Sequence, residues 1–241
     1  MGSRRWLDSG VLGTAAVTFS AGVFFAKTGA QINAVGILAP FFGCLWLTVW
    51  LPGRIAYGFR PRGNPPGRGG KLKNSVLYGA AAIASVSLPA ALSCAIFAPG
   101  GGFQEIAFNA AGAAAITLAF CGLAAGVGRL VGSFFPENGR ARADAGAATV
   151  FTFACLLSPF LTGGLLDSAD DFTKLFLVWL SPAAMLGAAL PELNFSCLPG
   201  LYHIWMGSLC PVPHHFWMAA GVYAVPAVFI WLFSRWRDLW K

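Results

Sequence analysis

Six stretches of the sequence are long and apolar enough to cross a lipid bilayer: residues 10–26, 31–51, 75–98, 106–134, 147–166 and 216–233. A spanning helix needs about 20 mostly apolar residues. Lipid offers no partner to an unpaired backbone group, so a chain built from such runs must pair its backbone within helices. The charge content agrees: 10% of residues are charged, against roughly 25% in a soluble domain. Too few polar side chains remain to cover a globular surface, which excludes a soluble enzyme. The expected fold is all-α, a polytopic membrane helix bundle forming a single transmembrane domain over 1–241.

A seventh apolar region, 172–190, is broken by Ser181-Pro182 and ends at Pro191-Glu192. Position of charge decides how it is used. Lys and Arg are retained on the cytoplasmic side of a membrane, while Asp and Glu weigh little. Six spans with both termini cytoplasmic put 14 of the 16 basic residues inside, leaving Lys27 and Lys174 outside. A seventh span would move Arg235, Arg237 and Lys241 outward, for 11 against 5. Six transmembrane helices are therefore expected, with 172–190 as an outer re-entrant segment between helices five and six. The net charge of +7 then marks the cytoplasmic face and implies no nucleic acid partner. Arg4-Arg5 followed by an apolar run resembles a secretion signal, but no small-x-small cleavage site follows Ala26-Lys27, so a retained first span is expected.

Residues 52–75 hold six basic residues, no acidic ones and four prolines. That composition cannot bury a core and is expected to form a mostly irregular cytoplasmic loop. Arg54, Arg60, Arg62, Arg68, Lys71 and Lys73 are its candidate partner contacts. The outer segment 167–215 contains Cys197, His203, Cys210, His214 and His215. Their spacing matches no standard zinc site. In an oxidising outer compartment Cys197 and Cys210 are a candidate disulfide, with free thiols as the alternative and a metal or haem as a minor one. No metal and no cofactor is expected.

Helix four is rich in small residues, with Ala111, Ala115, Gly122 and Gly126 at near four-residue spacing. Gly122 and Gly126 form a G-x-x-x-G pair that lets helix backbones approach, serving as a dimer face, a moving gate or internal packing. Pro40, Pro89, Pro159 and Pro226 fall inside spans as hinges or static bends. Trp6, Trp46, Trp50, Tyr57, Tyr78, Trp179, Trp217, Trp236 and Trp240 near span ends read as an aromatic belt. No acidic residue or lysine stands at a span centre, which argues against a self-sufficient ion pump. Arg129, near the end of helix four, can extend to the headgroups. No Gly-rich stretch has the order of a phosphate-binding lysine loop, so no nucleotide hydrolysis, and no enzymatic activity, is expected of this chain.

From about residue 75 onward the chain resembles the permease subunits of export-type ABC transporters. The resemblance is carried by GLAAGVGRLVGSFFPENGRARADAG at 122–146, LLSPFLTGGLL at 156–166, WLSPAAML at 179–186 and WLFSRWRDLW at 231–240. The family's coupling element near helices two and three carries both signs of charge, whereas 52–75 is basic throughout. The resemblance implies a bacterial inner-membrane subunit working with a separate nucleotide-binding ATPase and a second permease copy or paralogue. Helices two and five would line the substrate route, and 52–75 would meet the ATPase. The alternative expectation is a non-catalytic structural subunit of a larger membrane complex.

Overall fold

The structure is a computed structural model that describes residues 2–28, 32–58, 68–97, 103–161, 173, 176, 179–190 and 215–239. Six long helices account for most of them: α1 (Gly2–Lys27), α2 (Ile32–Gly58), α3 (Arg68–Phe97), α4 (Phe103–Gly132), α5 (Glu137–Leu161) and α7 (Phe216–Leu239). Between α5 and α7 lie a single turn, α6 (Pro182–Met185), and a 3-10 turn over Leu186–Ala188. No strand occurs among the described residues.

Five helices contain a stretch long and apolar enough to cross a membrane: Gly10–Lys27, Val35–Ala56, Gly79–Ile96, Gln104–Gly132 and Phe216–Ser234. The remaining long helix, α5, opens with Glu137, Arg140, Arg142 and Asp144. The end of the expected fifth span, 162–166, lies outside the described residues. The architecture is thus a helical bundle compatible with an integral membrane protein.

The basic stretch 52–75 is more helical than its composition predicts. α2 runs on through Pro52 to Gly58, and α3 already begins at Arg68. The proline at 52 forfeits only the backbone bond to the Thr48 carbonyl, and membrane helices tolerate such a loss where neighbours cover the freed group. Arg54 therefore sits about one turn before the end of α2, and Arg68, Lys71 and Lys73 on the first turns of α3. Only 59–67, with Arg60 and Arg62, falls outside the described residues.

Helix directions follow from which residues meet. Thr18 presses on Gly43 and Phe25 stacks on Phe42, so α1 and α2 are antiparallel. Cys121 of α4 points its thiol at the Leu47 carbonyl of α2, 3.9 Å away, and Gly36 faces Ile106, so α2 and α4 run together. The α4–α5 pair is a tight antiparallel hairpin turned by residues 133–136. Phe108 meets Phe216 at 5.6 Å and Phe120 meets Tyr223 at 5.2 Å, so α7 is parallel to α4. Hence α2, α4 and α7 run one way, and α1, α3 and α5 the other. The start of α1 and the end of α7 share one end of the bundle.

Helix α4 is the hub, touching α2, α3, α5 and α7. Of its apolar stretch 67% is buried, against 17% for those of α1 and α7. Its composition explains the position: Ala110, Ala113, Ala114, Ala124 and Ala125 are fully covered, and small side chains let four neighbours approach one axis. The buried stripe is offset by one residue from the one expected, since Ala111 and Ala115 are only half-buried. Threonine hydroxyls in this interior are satisfied locally. Thr18, Thr48, Thr117 and Thr152 each donate to the carbonyl one turn back on their own helix at 2.8–2.9 Å, so they are buried without needing a partner helix.

Candidate functional site around helix α4

The middle of the bundle is closed by an aromatic cluster. Phe120 of α4 stacks with Phe151 of α5 at 6.3 Å and meets the edge of Tyr223 of α7. Tyr223 is 1% exposed, and its hydroxyl has no hydrogen-bond partner. Toward the end where α7 starts, the short 179–190 segment covers the same helices. Ser181, Pro182, Met185, Leu186, Ala189 and Leu190 are buried there, and Ala189 lies against Gly112 of α4. Ser181 precedes α6 and its hydroxyl caps nothing. The proline at the first helical position starts the turn, and three residues of 3-10 helix follow it.

Two seams lead from this plug to the opposite end. Along the α4–α7 seam Trp231 lies across Gly126, 3.1–3.3 Å from where a β-carbon would stand, and its Nε1 donates to the Gly122 carbonyl at 3.1 Å. Gly122 itself has open space at that position. The expected G-x-x-x-G pair thus seats a tryptophan of the same chain. The α4–α5 seam is tighter and uses Gly128 and Gly132. A β-carbon on either would collide with Asp144, and on Gly128 also with Ala148 at 2.8 Å. Asp144 is 1% exposed, its backbone and carboxylate held against the glycine face of α4.

That end of the bundle is cationic. Arg4, Arg5, Arg54, Arg68, Lys71, Lys73, Arg129, Arg140, Arg142, Arg235 and Arg237 all stand on helix turns that finish or begin there. Asp8, Glu137, Asp144 and Asp238 are the acidic residues on the same turns. One arginine ties α4 to α7 and another ties α7 to the α4–α5 turn. The Arg129 guanidinium lies 5.1 Å from the Trp231 ring centre, and that of Arg237 lies 4.4 Å from the Phe134 ring centre. Such contacts contribute about 0.5–2 kcal/mol each, more when desolvated.

Sequence reasoning placed Gly126 on a packing face and let Arg129 extend to the headgroups; in the structure both meet Trp231 of α7. It missed Gly128, Gly132, Asp144, Tyr223 and Trp231. A signal for the α4–α5 crossing was present in the second G-x-x-x-G of 128–132 and in Asp144, a carboxylate flanked by alanines. Trp46 and Trp50, expected in an aromatic belt, lie against glycines of α1: Trp50 against Gly10 and Trp46 against Gly13. Cys197, Cys210, His203 and His214 fall outside the described residues; His215 is exposed and stacks on Trp217 at 5.6 Å. Cys44, Cys94, Cys121 and Cys155 are free and buried. No group of metal-ligating side chains occurs among the described residues. The chain matches no protein-family model, no curated protein and no solved structure.

Proposed function

We propose that this chain is the membrane-spanning subunit of an ABC-type exporter, in a bacterial inner membrane, with six spans and both termini cytoplasmic. The carrying observation is the polarity of the bundle. The start of α1, the end of α2, the start of α3, the α4–α5 hairpin and the end of α7 share one end, and basic residues crowd it. A separate ATPase meets the protein there, at Arg54, Arg60, Arg62, Arg68, Lys71 and Lys73. The short buried segment 179–190 is the outer re-entrant element before the last span. Within one chain α2 packs directly on α5, with Gly53 against Thr149, and Phe120, Phe151 and Tyr223 fill the centre. A substrate route therefore runs where this chain meets a second permease copy, along the exposed Val150, Phe153 and Leu157 of α5.

The filled centre also favours a second reading, a structural subunit of a larger membrane complex that transports nothing. Mild detergent extraction separates the two. The exporter reading expects a nucleotide-binding protein to co-purify, and neutralising Arg54, Arg68 and Lys71 together to weaken that association. Isolation of a stable particle with other membrane proteins but no ATPase selects the structural reading.

A further inference from the structure

We propose that the α4–α7 seam at the cationic end binds the phosphate of an anionic phospholipid, with Arg237 as the residue that recognises it. The proposal rests on the membrane-embedded reading above and is independent of any ATPase. Nε and Nη2 of Arg237 are both covered and have no hydrogen-bond partner in the protein. These two nitrogens form the edge of the guanidinium that takes a phosphate or carboxylate by two parallel bonds. Buried donors without acceptors are rare in native proteins and call for a ligand, ion or water. The plane of the group is already fixed, since it lies 4.4 Å from the Phe134 ring centre.

The surroundings fit a lipid. Phe134 is 75% exposed, so the arginine and the ring it rests on stand at the rim of the bundle, where a lipid headgroup arrives. One turn back on α7, exposed Leu232 and Phe233, with Trp236 beside Arg237, offer an apolar strip for an acyl chain and an aromatic ring at headgroup depth. The helix turns at this end carry the eleven basic and four acidic residues named above. That excess favours a net-negative headgroup over a zwitterionic one.

The test is a titration of the purified protein in detergent micelles, reading the thermal unfolding midpoint. The additions are phosphatidylglycerol, phosphatidylcholine and, separately, inorganic phosphate. Phosphatidylglycerol is expected to raise the midpoint at about tenfold lower concentration than phosphatidylcholine, and R237Q to weaken that response about tenfold. R237K keeps the charge but loses the two-bond edge, so its response falls between the two. R142Q, an exposed arginine at the same end, removes the same charge from that field and serves as the control, expected to weaken the response markedly less than R237Q does. An unchanged response in R237Q, or an equal loss in R142Q, overturns the proposal, and so does an equal effect of inorganic phosphate. If R237Q fails to fold, R237K decides: an unchanged response to phosphatidylglycerol overturns the site. A wild-type chain that stays in solution without detergent refutes the membrane reading. One that needs detergent yet shows no headgroup preference refutes only this inference.

Discussion

Gly122, Gly126, Gly128 and Gly132 occupy one helix as two G-x-x-x-G pairs, yet they meet three different environments. Substitution by alanine separates them. Gly122→Ala adds a methyl to open space and removes the helix penalty of glycine, so it is expected to stabilise by up to about 1 kcal/mol. Gly128→Ala and Gly132→Ala force α4 off Asp144 and are expected to destabilise by about 1–3 kcal/mol. Thermal unfolding in detergent reads both signs. Trp231→Phe keeps the ring but removes the bond to the Gly122 carbonyl, for an expected loss of about 0.5–1.5 kcal/mol. The motif was legible in the sequence. Which glycine touches what was not, because that depends on how α5 folds back to bring Asp144 in and on where Trp231 arrives from a helix distant in the chain.

Helices that look alike by hydropathy divide sharply by position. α4 and α7 both carry apolar stretches of similar strength, yet α4 is enclosed and α7 presents Val225, Val228, Phe229 and Leu232 outward. Size of side chain accounts for the difference, since the alanines of α4 admit neighbours that the bulky face of α7 would hold off. The short segment before α7 is the counter-case: Met185 and Leu186, in a single turn and a 3-10 turn, and Leu190 just beyond them are almost fully covered. Leu186→Ala is expected to cost about 2–5 kcal/mol, whereas Leu232→Ala, facing outward, is expected within about 0.5 kcal/mol. The same unfolding measurement compares them. Serine and proline at 181–182 announced the break in this region. Its burial came from α4, α5 and α7 closing around it.

For the bundle as a whole, alternating helix direction makes a topological prediction. Cysteines introduced at Ser3 and Asp238, in a chain with Cys197 and Cys210 changed to serine, should react with an impermeant maleimide from the same side of sealed vesicles. One introduced at Thr28 should react only from the other. The four remaining native thiols are buried and add little background. Labelling of Ser3→Cys and Asp238→Cys from opposite sides would refute an even number of crossings.

The sequence by itself determined the class, the long apolar helices and the segregation of charge, because each depends on residues near one another in the chain: apolar runs of bilayer length, and basic residues just beyond them. It also overextended the irregular loop at 52–75, where composition suggested a coil and the backbone kept its helical ladder through Pro52. Only the tertiary structure decided that α4 is the hub, that Phe120, Phe151 and Tyr223 fill the centre, and that Arg237 rests on Phe134 with two donors unanswered. Those are contacts between helices far apart in sequence. Close packing at small residues selects them, and hydropathy, nearly the same for α2, α3, α4 and α7, carries no record of which helix stands beside which.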